Sequence, residues 1–108
     1  MKYIPLSDVL NQKISIELES GKLDLNLIFN PLGSWFLNLE FNQKKVNGIK
    51  LTLGVYHLES TLTPFDFLVT GEDGLDPYKP DDFLQRCKFY LVEKSEVEAI
   101  KGTEIKTD

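Results

Sequence analysis

Three groups of side chains in this sequence have reactive chemistry within reach, and their spacing limits what that chemistry can be. His57 is the single histidine; Glu59 lies two residues on, on the same face of any strand, and Ser60 follows it. A Ser-His-acid triad needs the serine hydroxyl presented to the imidazole from a different segment, and no G-x-S-x-G elbow is present. One His and one Cys exclude a structural zinc site and disfavour a catalytic one. Cys87 stands between Arg86 and Lys88, charges that lower a thiol pKa when they face it. It also sits in an apolar run, where a free cysteine ordinarily serves as a small core residue. A lone cysteine forms no intrachain disulfide and fits a reducing cytosol.

The acids Glu72, Asp73, Asp76, Asp81 and Asp82 crowd one stretch, GEDGLDPYKPDD. Gathered carboxylates bind Ca²⁺, but this spacing does not match an EF-hand loop, and a solvated acidic loop is expected. Gly71 and Gly74 are separated by two acids that repel phosphate. Nothing selects a glycosidase pair from the seventeen acids. The reading is a non-enzyme with no catalytic residue, no metal ligand and no cofactor.

Net charge is −5 with one arginine, a balance that disfavours a nucleic-acid binder because phosphate contacts come from clustered Lys and Arg. Lys44-Lys45 reads as a solvated turn. No apolar run approaches the ~20 residues of a membrane span, and Pro5 and Asp8 interrupt the start of the chain before a signal-peptide core can form. A soluble protein without a membrane partner is expected.

The elements that must position these residues follow a period of two. Ile14, Ile16 and Leu18 alternate with Ser15 and Glu17; Leu23, Leu25, Leu27 and Phe29 with Asp24, Asn26 and Ile28; Trp35, Leu37, Leu39 and Phe41 with Phe36, Asn38 and Glu40. Breakers at 19–22, 30–34 and 42–45 separate these strands. Val46–Leu53 is a fourth strand, in which Asn47-Gly48 is better placed as a glycine bulge than as a turn. Shorter candidates run over Val55–Leu58 and Phe65–Thr70, and Cys87–Val92 is the last strand. A short helix over Glu96–Lys101 has capping-box spacing from Ser95 to Glu98.

At 108 residues the chain fits one domain: residues 1–102, including the helix, with a flexible tail at 103–108. The fold class is mainly β, an antiparallel sandwich or small barrel of six to eight strands, which alternation alone does not separate. The expected core is Ile14, Ile16, Leu18, Leu23, Leu25, Leu27, Phe29, Trp35, Leu37, Leu39, Phe41, Leu51, Phe89 and Leu91.

Pairing the second and third strands across 30–34 sets Phe29 opposite Trp35, Leu27 opposite Leu37 and Leu25 opposite Leu39. The same register places Ile28 opposite Phe36, and Asp24 opposite Glu40, on the outer face. Either a second sheet covers the apolar pair or a partner protein does. The like-charge pair calls for a basic group from a partner, or a fringe lysine such as Lys22 or Lys44.

Several marks recur in order along the chain: Tyr3-Ile4-Pro5-Leu6 followed by Gln12, the hairpin ending in Trp35–Phe41, the Gly48–Leu58 segment, and Asp76-Pro77-Tyr78 with Asp82-Phe83 before Tyr90-Leu91. In these, over roughly Lys2 to Ile100, the chain resembles the baseplate plug proteins of contractile-tailed bacteriophages and prophages. The resemblance implies a structural role at the distal end of the tail tube, associating with hub and tube proteins until DNA passes. It also implies a place in the virion tail baseplate, and in the bacterial host cytoplasm during assembly. It carries no catalytic residues; the tail after Gly102 extends beyond it, and it does not require the dense acidity of Glu72 to Asp82. Homo-oligomer formation fits such a role, and an acidic surface beside a DNA channel would repel the passing backbone. A small-ligand or carbohydrate-binding β module is the alternative.

Overall fold

A computed structural model describes residues 1–59, 61 and 63–96. The elements run β1 (Lys2–Ile4), β2 (Asn11–Leu18), β3 (Gly21–Asn30), β4 (Ser34–Phe41), β5 (Lys44–Lys50), β6 (Phe65–Gly71), α1 (Asp82–Gln85) and β7 (Cys87–Glu93). Two antiparallel sheets result, one of order β2-β3-β4-β5 and one of order β1-β7-β6. Their facing sides enclose one apolar cluster, so the architecture is an open sandwich rather than a closed barrel.

The β3–β4 register is the expected one, from Asn30 opposite Ser34 to Leu23 opposite Phe41. Because side chains alternate, Leu23, Leu25, Leu27, Trp35, Leu37 and Leu39 all enter the core, each nearly or fully buried. Each such burial contributes roughly 1.5–3 kcal/mol. Ile14, Leu18 and Phe29, expected in the core, are only half-buried and pack against its margin. For Ile14 and Leu18 the cause is position: β2 is an edge strand with a neighbour on one side only.

Gly48 (φ +72°) lies inside β5, and the β4–β5 register shifts between Leu37 and Leu39, so the glycine marks a bulge and not a turn. The turn from β4 to β5 is tighter than expected: Phe41 pairs with Lys44, leaving Asn42 (φ 49°) and Gln43 (φ 69°) as the two turn residues of a type I′ hairpin. Likewise the 30–34 loop closes to three residues, since Asn30 pairs with Ser34.

Val55–Leu58 is not a strand. After Leu51, whose N–H donates to Trp35 O at 2.9 Å, the chain crosses to the other sheet through a single parallel bridge, Leu53 to Val69. It then lies along β6 held by Gly54 N to Val69 O (2.9 Å) and by Asp66, whose buried Oδ1 accepts from Leu58 N at 2.7 Å. This segment stitches the β5 side of one sheet to the β6 side of the other. β1 and α1 were not anticipated; both are too short to show a period. Residues 94–96 are helical, while the rest of the Glu96–Lys101 helix and the 103–108 tail lie outside the described residues. No helix among the described residues is long and apolar enough to cross a membrane.

Candidate protein-contact surface

The outer face of the four-stranded sheet carries one apolar row and one charged row. Across the apolar row run Asn11, Ile28, Phe36 and Lys50. Ile28 and Phe36 are half-buried and point away from the core, with the second sheet packed on the opposite face. Two residue pairs beyond them the hairpin turns, and Leu32 at its tip is 93% exposed. Two hydrogen bonds close the tip: Gly33 N donates to Asn30 O and Leu32 N to Asn30 Oδ1, each at 2.8 Å. Val9 and Leu10, also exposed, enter β2 at this same end, where Leu10 O accepts from Phe29 N. Five apolar residues thus lie at one end of the sheet, with Ile28 and Phe36 paired on its outer face. Leu32 was legible as an apolar residue between Pro31 and Gly33, but its exposure was not.

In the charged row Ser15, Asp24, Glu40 and Lys45 stand side by side. The Asp24–Glu40 repulsion is relieved within the chain: Ser15 Oγ donates to Asp24 Oδ1 at 2.6 Å and Lys22 Nζ lies 3.9 Å from it. Lys45, not Lys44, is the lysine opposite Glu40; Lys44 is set opposite Phe41. Between the two rows lies a shallow hollow of about 520 Å³ lined by Lys13, Asn26, Asn38 and Asn47 among others. Asn26 Oδ1 is buried there without a hydrogen-bond partner among the described residues.

The acidic stretch is not one solvated loop. Its organiser is Arg86, four residues after Asp82, at the C-cap of α1. Asp82 is buried: its Oδ2 accepts from the amides of Tyr78 (2.6 Å) and Lys79 (2.8 Å) and from Arg86 Nη2 (2.9 Å), and its Oδ1 from Arg86 Nε (3.1 Å). Burial pushes the Asp82 carboxyl up, but these bonds outweigh it and hold the group below the usual carboxylate range. Arg86 also donates to Asp73 Oδ1 (2.7 Å) and to the carbonyls of Leu75 and Asp76, and stacks over the Tyr78 ring at 4.8 Å. Asp76 Oδ1 accepts from Leu53 N at 2.9 Å, and buried Trp35 donates Nε1–H to Lys79 O at 3.0 Å. Glu72 and Asp81 alone of the five acids carry no such anchor and face solvent. The carboxylates therefore diverge to separate partners, and among the described residues no three His, Cys, Asp or Glu side chains converge on a point.

Both nitrogens of His57 are engaged by backbone. Nε2 accepts from Thr52 N at 2.9 Å, which places the proton on Nδ1, 3.0 Å from Phe67 O. The ring thus clamps the crossing segment to β6; Ser60 lies outside the described residues. Cys87 is buried, and that burial pushes its thiol pKa up despite the opposing charge of Arg86.

The surface therefore offers packing and polar contacts, while among the described residues His57, Asp73, Asp76 and Asp82 bond within the scaffold and Cys87 is buried in it. A comparison with curated proteins finds no match. The model of the family described as cyanophage baseplate Pam3 plug gp18 matches residues 1–94, from β1 to the end of β7, so the matched span contains both sheets and the anchored loop. The chain belongs to this baseplate plug family and is a structural component of a phage tail baseplate.

Proposed function

We propose that the chain closes the distal end of the tail tube by binding hub and tube proteins through the apolar end of its four-stranded sheet. One observation carries this reading: Ile28 and Phe36 form an outward apolar pair, and the same end of the sheet also carries the exposed Leu32, Val9 and Leu10. An apolar end rimmed by Asn11 and Lys50 is the composition expected of a contact core with a polar rim. Membership of the baseplate plug family supplies the setting.

Co-purification with the neighbouring tail proteins tests it. Phe36→Glu is expected to abolish retention by the hub or tube protein, and Leu32→Asp, at a position too exposed to affect folding, to weaken it by about tenfold. If both variants assemble into baseplates as the native chain does, the proposed surface is wrong.

One observation favours a second reading, a small-ligand or carbohydrate-binding module: the polar hollow whose floor holds the unpaired Asn26 Oδ1. A rise in melting temperature with an added saccharide would support it, because a ligand of the native state stabilises that state.

A further inference from the structure

Four strand edges bound the two sheets, and three are closed to further pairing. β1 is three residues long, β6 is lined by the 53–58 segment, and β5 is bulged at Gly48 and carries Lys44, Lys45 and Lys50. β2 is different: eight residues, paired with β3 without interruption and carrying a single lysine. The bond from Phe29 N to Leu10 O sets its alternation, so Gln12, Ile14 and Ile16 turn their backbone groups toward β3. The N–H and C=O of Lys13, Ser15 and Glu17 consequently point out of the open edge. Inward-facing Ile14 and Leu18 remain half-buried along that same edge.

We propose that β2 pairs antiparallel with β2 of a second copy of this chain, about a two-fold axis through Ser15, joining two sheets into one. The register is chosen by charge. With Ser15 opposite Ser15, Lys13 of each copy faces Glu17 of the other, and inside the sheet Ile14 faces Ile16. Among the described residues neither Lys13 nor Glu17 has an ion-pair partner within its own chain, so both are available. Pairing over 13–17 adds about six backbone hydrogen bonds and covers the half-open flank of Ile14. A self-complementary patch of this kind is what a two-fold interface requires. The inference stands apart from the tube-closing role, because it concerns the isolated chain.

Sedimentation equilibrium of the purified protein up to about 1 mM tests it. The native chain is expected to dimerise, and Lys13→Glu or Glu17→Lys alone to weaken association by about tenfold or more, since two opposed pairs become like-charged. Mixing the two single variants restores a dimer containing one of each, and the double exchange Lys13→Glu/Glu17→Lys restores a homodimer. Ser15→Pro removes an N–H that bonds nothing in β3 and blocks the axis, leaving a folded monomer by circular dichroism. A native chain that stays monomeric throughout, or single charge reversals that dimerise as the native chain does, overturns the proposal.

Discussion

Replacing Asp82 with Asn isolates the electrostatic contribution of the loop anchor while keeping its shape. Each Asp82 oxygen accepts from at least one N–H, Oδ1 from Arg86 Nε and Oδ2 from two amides and Arg86 Nη2. Whichever way the new amide turns, its NH₂ group meets a donor. Breaking a buried ion pair costs about 3–5 kcal/mol when the surviving charge is stranded. Here Arg86 keeps the Asp73 carboxylate and two carbonyls, so the expected loss is about 2–4 kcal/mol. At roughly 4 °C per kcal/mol, the melting temperature at pH 7 should fall by about 8–16 °C. Acid supplies a second readout. The folded Asp82 pKa is depressed below that of the unfolded chain, about 3.9, so its stabilisation is fully present above that pH and is lost as pH falls through the folded value. Thermal melts of both proteins from pH 7 to about pH 2 should therefore converge in acid. A gap below about 1 kcal/mol at pH 7, or one that persists unchanged into acid, would refute the assignment of Asp82 as a charged anchor.

Two substitutions at the opposite end of the four-stranded sheet are expected to have opposite signs. Gly21 (φ +144°) packs so tightly against Asn42 that an added Cβ would lie 2.2 Å from its Oδ1; Gly21→Ala should displace the Asn42 amide from Ser20 O and cost about 1–3 kcal/mol in urea unfolding. Gln43 occupies the left-handed region at φ 69°, where a side chain costs about 1–2 kcal/mol, so Gln43→Gly, giving an Asn-Gly turn, should raise stability by about 0.5 kcal/mol after the added freedom of the unfolded chain is subtracted.

The central hairpin was legible because its two faces differ: a slip of one residue would expose Leu23, Leu25 and Leu27 together, so the pattern admits one register. Gly48 was legible as a bulge because treating it as a turn would have carried lysines into the preceding strand. The crossing segment at 53–58 was not, since its order comes from Asp66 and His57, whose side chains bond backbone atoms outside any strand period. For the same reason the acid-rich stretch looked solvated. Composition counts its carboxylates, but only folding brings the one arginine between them. The outward Ile28–Phe36 pair followed from strand pairing alone, whereas the contribution of Leu32 depended on how sharply the 31–33 tip closes.

Enclosing Arg86 among loop carbonyls and carboxylates has a cost elsewhere on the molecule. It is the sole guanidinium in the sequence, so every remaining cationic side chain is a lysine. Lysine meets an acid or a phosphate as a hydrated point charge on a flexible stem, without the planar fork that locks two oxygens at once. Attachments made by the exterior through such groups loosen as ionic strength rises.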